Sequence, residues 1–217
     1  MNKANHIRLS ANADQYDALA RFLEAGRDMV AEREPATLYW YALRRDGDAS
    51  ELAIFDIFPD QAGRQAHFDG DVARALMDNA GTLVAGGWQQ GVLENVRNHA
   101  VIAATSIESP PAVSKAAYIE LQAAPGQAAA LEQFLIGGAE LVAATEPATV
   151  YWYALRDEDR PDRYAIFDLF PDGAGRAAHF AGQVAAALEA NAAKLVAGGW
   201  QDGVLANVVN YDVLAAK

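Results

Sequence analysis

Glu34-Pro35-Ala36-Thr37-Leu38-Tyr39-Trp40-Tyr41-Ala42-Leu43-Arg44 returns as Glu146-Pro147-Ala148-Thr149-Val150-Tyr151-Trp152-Tyr153-Ala154-Leu155-Arg156, 112 positions later. Downstream segments return at the same offset. Ala53-Ile54-Phe55-Asp56 becomes Ala165-Ile166-Phe167-Asp168, and Leu83–Gln89 becomes Leu195–Gln201. From Leu52 to Val96, 32 of 45 positions match the residue 112 further on, so no insertion separates the copies. A period this long is the size of a small domain, not of a solenoid unit. Like surfaces carried in one chain can meet as those of a homodimer do, which predicts an internal pseudo-two-fold.

Each copy reads as six elements. Thr37–Arg44 is aromatic and β-favouring, hence a strand. Before it, Asp14–Glu34 places Tyr16, Leu19, Ala20, Leu23, Met29 and Val30 at near-helical spacing. Asp14 is the expected N-cap, and Pro35 closes the helix. His6–Ser10 alternates as a first strand, with Ala117–Leu121 as its counterpart. Beyond Arg44, Arg45-Asp46-Gly47-Asp48 makes a turn and Leu52–Phe58 a third strand. Pro59-Asp60 stops that strand and offers Asp60 as the next N-cap. Helix is expected over Gln61–Ala85 with a break near Gly70, ending at Gly86-Gly87. Gly91–Ile102 is the expected fourth strand.

The order β-α-β-β-α-β is the ferredoxin-like plan. Two helices cover one face of such a sheet, yet both faces are apolar. Tyr39, Tyr41 and Leu43 alternate with Leu38, Trp40 and Ala42, and Phe55 and Ile57 with Ile54 and Phe58. A second apolar face needs a cover, and the other repeat supplies one. The expected class is therefore α+β: two ferredoxin-like βαββαβ repeats packed sheet to sheet as an intramolecular dimeric α+β barrel. The repeats are residues 1–104 and 115–217. A stiff linker, residues 105–114 around Ser109-Pro110-Pro111, joins them.

Composition narrows the function classes. The 217 residues are 52% hydrophobic, ample for packed cores, and carry a net charge of −12. Both copies are acidic: residues 1–104 hold 10 basic and 15 acidic side chains, residues 105–217 hold 7 and 14. That balance argues against nucleic acid and anionic membranes as partners. Cysteine is absent, which removes disulfides, thiolate catalysis and cysteine metal sites. The first residues lack an apolar leader and no run suggests a membrane span, so a soluble cytoplasmic protein is expected.

Some duplicated residues are suited to chemistry. Asp56 lies among apolar residues on its strand, where a carboxylate needs a polar neighbour. His67, about two turns into the next helix, is the nearest candidate; Asp168 and His179 repeat the pair. Either the pair performs acid–base work near neutral pH, Asp56 orienting His67, or the two groups only satisfy each other. Tyr39, Trp40 and Tyr41, with Tyr151, Trp152 and Tyr153, offer an aromatic slot for a planar ligand or plain core. By alternation Trp40 cannot share a face with both tyrosines, so at most one set lines a cavity. Arg64 and Arg176 are candidates to hold an anionic oxygen, or solvated helix charges. Trp88 and Trp200, beside the double glycines, either pin the last strand to the helix or cover a pocket mouth, the structural role being favoured. His6 and His99 are not duplicated and fall outside a symmetric function. No spacing of histidines suggests a metal site.

The strand Ala53–Phe58, then Pro59-Asp60, then Gly63-Arg64-Gln65-Ala66-His67-Phe68, led by Glu-Pro-Ala-Thr, resembles the antibiotic biosynthesis monooxygenase superfamily, the dimeric α+β barrels. The pattern recurs at Ala165–Phe180, so nearly the whole chain is covered, twice. The superfamily usually places an acidic residue in that strand and an Ala-His pair early in the second helix, positions held here by Asp56/His67 and Asp168/His179. Its members are mostly single-domain homodimers, so this chain looks like a dimer made covalent, with a further homodimer open to it. The monooxygenase branch implies a cofactor-independent reaction without flavin or metal. A bound quinol or phenol is deprotonated and its own electrons reduce O2. Heme-degrading members use a Trp and an axial His on the second helix. Here His67 stands near the Trp position and Met77 or Glu189 near the His, which argues against heme. The alternative from a different class is a non-catalytic small-molecule or protein-binding barrel.

Overall fold

A computed structural model describes Met1–Lys217. The first copy runs β1 (Lys3–Ser10), α1 (Tyr16–Arg33), β2 (Tyr39–Arg45), β3 (Glu51–Phe58), α2 (Gln61–Phe68), α3 (Asp71–Leu83) and β4 (Val96–Ser106). The second runs β5 (Lys115–Gln122), α4 (Ala128–Thr145), β6 (Tyr151–Asp157), β7 (Arg163–Phe170), α5 (Gly173–Phe180), α6 (Gln183–Leu195) and β8 (Val208–Ala216). The fold is α+β, βαββαβ twice, with the second helix of each plan broken at Gly70 and Gly182. The strands hydrogen-bond in the order β1-β3-β2-β8-β5-β7-β6-β4, which closes on itself.

The sequence repeats and the compact units are different divisions of the chain. One unit comprises Met1–His99 with Tyr211–Lys217, the other Ala100–Asn210. In the first, the end of β8 pairs antiparallel with β2, Tyr211 opposite Arg45 and Asp212 opposite Arg44. Leu214 and Ala215 pack on that unit's core. In the second, Ile102 and Ala103 of β4 pack on its core in the equivalent way.

Alternation sets what each sheet face buries. In the first unit Ile7 stands opposite Ile54 and Leu9 opposite Leu52, while Trp40 stands opposite Asp56 and Ala42 opposite Ile54. This face receives α1 through Leu19, Leu23 and Val30, and α3 through Val72, Leu76 and Ala80. Each such large side chain contributes about 1.5–3 kcal/mol on burial. The opposite face, with Tyr41, Leu43, Phe55 and Ile57, is also buried. Both faces being apolar is what the alternation required.

Local expectations fare unevenly. Asp60 caps α2, accepting from the Gly63 N–H at 2.9 Å, and Asp172 caps α5 from Gly175 at 2.8 Å. Asp14 does not cap α1. It sits in the left-handed region (φ 61), and the helix begins at Tyr16 after Gln15. The fourth strand starts at Val96, not Gly91. Gly86 (φ 82) and Gly87 (φ 63) turn the chain into a π-helical turn, Gly87–Val92, and a 3-10 turn, Leu93–Asn95. Contrary to the sequence expectation, α4 is long and apolar enough to cross a membrane by length and composition. It packs Leu131, Leu135, Gly138 and Val142 into the second unit's core.

Candidate active site

His67, near the end of α2, lies between two buried carboxylates. Its Nδ1–H donates to Glu34 Oε2 at 2.5 Å, and its Nε2 lies 3.6 Å from Asp56 Oδ2. The Thr37 hydroxyl is 3.3 Å from Nδ1 and donates to Glu34 Oε2 at 3.4 Å. Glu34 is fixed in turn by the Val72 N–H on its Oε1 at 3.3 Å, at the start of α3. The second unit repeats this with His179: Glu146 at 2.6 Å, Asp168 at 3.3 Å, Thr149 at 3.1 Å and Val184 N–H at 2.9 Å.

A glycine makes the approach of Glu34 to α3 feasible. A Cβ at Gly70 would stand 2.6 Å from Glu34 Oε1, and one at Gly182 2.6 Å from Glu146 Oε1, inside any real contact distance. The break between α2 and α3 is therefore where the carboxylate passes. Glu34, Thr37 and Gly70 were missed as site residues by sequence reasoning. The available signal was that Glu34 and Thr37 sit unchanged in a long stretch repeated with a single change, Leu38 to Val150. The expectation that Asp56 orients His67 is corrected: Glu34 holds the ring through Nδ1, and Asp56 stands at the other nitrogen.

Electrostatics follow from this geometry. Asp56 and Asp168 are fully buried, and neither carboxylate has a hydrogen-bond partner within the protein. The His179–Asp168 approach of 3.3 Å is an ion-pair contact rather than a well-directed hydrogen bond. Burial raises Asp56 to about 7, with His67 pulling it down and Glu34 adding to the rise. Asp168 is raised for the same first reason. Burial pulls the histidines toward the neutral form, but the flanking carboxylates outweigh it: His67 is raised, and His179 reaches about 10. Only His67 has a nearby cation opposing this. The Lys217 ammonium donates to the carbonyls of Glu34 and Thr37 at 2.8 and 2.5 Å. Glu146 is lowered: burial raises it, but the bonds from His179 and Val184 N–H prevail. The two carboxylates sit at opposite ring nitrogens, so they do not converge on one ion, and no group of three metal-type side chains does so elsewhere.

His67 forms part of the wall of a cavity of about 340 Å³ between the sheet and the helices of the first unit. Trp40, Ile54, Phe22, Leu76 and Trp88 are among its apolar residues, and Asn98 also lies on it. The cavity is on the helix-facing side of the first unit's sheet. The buried indole N–H of Trp40 has no partner within the protein. The second unit's equivalent cavity, lined by His179, Trp152 and Trp200, is about 40 Å³. Two equivalent pockets were expected, and their volumes differ although the residues at equivalent positions are identical.

The remaining candidates lie elsewhere. Tyr39 and Tyr151 are on the opposite sheet face, stacked on Tyr41 and Tyr153 with ring centroids 6.5 and 6.2 Å apart, and line neither cavity. Alternation allowed only one aromatic set at the cavity, and it is Trp40 and Trp152. Arg64 is buried and hydrogen-bonds Gln61, with Nε at 3.1 Å. Arg176 reaches the Ala116 carbonyl at 3.5 Å. Neither arginine lines either of these two cavities. Of the two readings of Trp88 and Trp200, the place at a pocket is the one the structure shows: both are wall residues.

No protein-family model and no curated protein sequence matches the chain. Solved structures do. A provisionally named monooxygenase of Fusobacterium nucleatum superposes with a TM-score of 0.83 at 14% identity, covering 100% of this chain and 94% of the other. An anthrone oxidase-like protein superposes at 0.65 and 11%, covering 100% and 92%. A ferredoxin-fold protein of Listeria monocytogenes, described as related to antibiotic biosynthesis monooxygenases, gives 0.51 and 5%, covering 98% and 95%. The chain has the fold of the antibiotic biosynthesis monooxygenases. At these identities the likeness concerns fold and extends over both repeats.

Proposed function

We propose that the chain is a cofactor-independent monooxygenase that oxidises a quinol or phenolic aromatic in the cavity of the first unit. The observation that carries this is His67: an imidazole on the wall of an otherwise apolar, indole-lined cavity, backed by Glu34 and Asp56. A cavity of about 340 Å³ falls within the usual range for small-ligand sites. The names of the structural neighbours, a monooxygenase and an anthrone oxidase-like protein, point the same way.

In this reading the ligand hydroxyl meets His67 Nε2. Glu34 fixes the ring, which its raised proton affinity keeps an imidazolium near neutral pH, so Nε2 passes its proton to Asp56, at about 7 the group whose protonation changes there, as it takes the hydroxyl proton. The imidazolium then lies beside the aromatic oxyanion and stabilises it. The oxyanion supplies the electrons that reduce O2. One oxygen atom bonds to a ring carbon that carries a hydrogen, ortho or para to the hydroxyl; in a 1,4-quinol this is the ortho carbon. The other leaves as water with the hydrogens of that carbon and of the hydroxyl, so a hydroxyarene plus O2 gives a quinone plus H2O.

The test is O2 consumption by the purified chain with reduced naphthoquinols and naphthols, and its absorption spectrum. Turnover that is lost in His67→Ala, with no chromophore in the spectrum, is the expected result. A bound flavin or heme would overturn the cofactor-free reading. Binding without turnover across the panel would replace the enzyme with a binding barrel.

A further inference from the structure

The two cavities draw on equivalent residues, but the second lacks Asn98's counterpart on its wall and the polar group behind it. Asn5, in β1, is fully buried and stands opposite Asp56 in the β1–β3 register. Its Nδ2 donates to Asn98 Oδ1 at 2.6 Å, and Asn98 lies on the wall of the 340 Å³ cavity. Asn5 Oδ1 has no partner within the protein. In the second repeat Ala117 replaces Asn5. Asn210, the equivalent of Asn98, has an unpartnered Oδ1 and is not on the wall of the 40 Å³ cavity.

A carboxamide has an acceptor oxygen and two N–H donors. With its oxygen held by Asn5, Asn98 has its Nδ2 donors left to offer to the cavity. We infer that the Asn5–Asn98 pair is a specificity-determining device of the first cavity. It holds a second oxygen of the aromatic ligand, a carbonyl or an ionised hydroxyl, distinct from the hydroxyl at His67. The preferred ligand class is therefore an aromatic with two oxygens, a quinol or hydroxyquinone, over a simple phenol. The second cavity lacks the anchor and does not make this selection. The inference rests on the first cavity being the ligand site, not on turnover there.

The experiment is anaerobic calorimetric titration of the full chain with 1,4-naphthalenediol and with 1-naphthol. One neutral hydrogen bond corresponds to a discrimination of roughly 2- to 10-fold. The wild-type chain binds one diol, several-fold tighter than it binds 1-naphthol. Asn5→Ala brings the two affinities together while leaving 1-naphthol nearly unchanged. Asn98→Asp keeps an acceptor for Asn5 but removes the donor to the ligand, and it also abolishes the diol preference. This second variant guards against misfolding of the first, and urea melts of both confirm the folded state. If both ligands bind, His67→Ala weakens them, and the ratio is unmoved by either asparagine variant, the inference is overturned while the site reading stands. Failure of the wild-type chain to bind either ligand overturns both.

Discussion

All sixteen residues that line the first cavity have an identical counterpart 112 positions later, yet one cavity is about 340 Å³ and the other about 40 Å³. The smaller one has lost Phe134, Leu135, Gly138 and Asn210 from its wall. The indole is part of the difference: a Cβ at Gly138 would stand 3.1 Å from Trp152, against 3.4 Å for Gly26 and Trp40. A wall is thus not specified by its own residues alone. Changes just behind it, such as Asn5 to Ala117 and Met29 to Leu141, alter how the same side chains pack. The comparison also separates site from core, because Leu19 and its counterpart Leu131 are buried alike while the cavities differ.

The sharpest way to break the comparison is through the histidines. His67→Ala should lower quinol turnover by about 100-fold or more, the usual scale for a general acid–base group, whereas His179→Ala should leave it within about twofold. Equal losses in steady-state O2 uptake would mean that the small cavity opens and works. Stability should show the opposite symmetry. Leu19→Ala and Leu131→Ala each remove a side chain with 0% exposure, and each should cost about 2–5 kcal/mol in urea unfolding. A large inequality would show that the cores have diverged along with the cavities.

pH sharpens the contrast further. Turnover should rise with pH through about 7 as Asp56 loses its proton, and Asp56→Asn should flatten that limb. In the second unit His179 is raised from 6.5 to about 10. A group that binds its proton more tightly when folded stabilises fully below the unfolded value and loses that contribution as pH climbs through the folded one. Stability should therefore fall between about pH 6.5 and 10, and the fall should be shallower in His179→Gln, as read by urea midpoints across that range. The smallest effect expected is at Gly26, on the cavity wall. Gly26→Ala should raise stability by up to about 1 kcal/mol through helix propensity while narrowing the cavity and weakening ligand binding. Unchanged affinity would place the ligand away from α1.

Much of the fold was legible because repetition and alternation are local signals. The βαββαβ order, the break at Gly70 and the caps at Asp60 and Asp172 follow from apolar spacing and from short polar residues at helix starts. The start of β4 did not, because Gly86 and Gly87 lead into a π-helical turn that has no periodic signature. At the site, Asp56 and His67 could be picked out as a charged and a titratable residue in apolar surroundings. Glu34 could not, because in sequence it is only an acidic residue before a proline. It becomes a ligand of His67 because α1 ends beside α2 and Gly70 lets it pass.

By itself, the sequence determined that two like domains of ferredoxin type follow one another and that Trp40 and Tyr39 face opposite ways, since strand alternation is a property of the backbone. Tertiary structure alone decided on which face of the first unit's sheet the 340 Å³ cavity lies, which carboxylate holds His67, and which of two sets of identical residues encloses a usable space. Those outcomes depend on packing between distant segments at the scale of a few tenths of an ångström, and no local pattern encodes that distance.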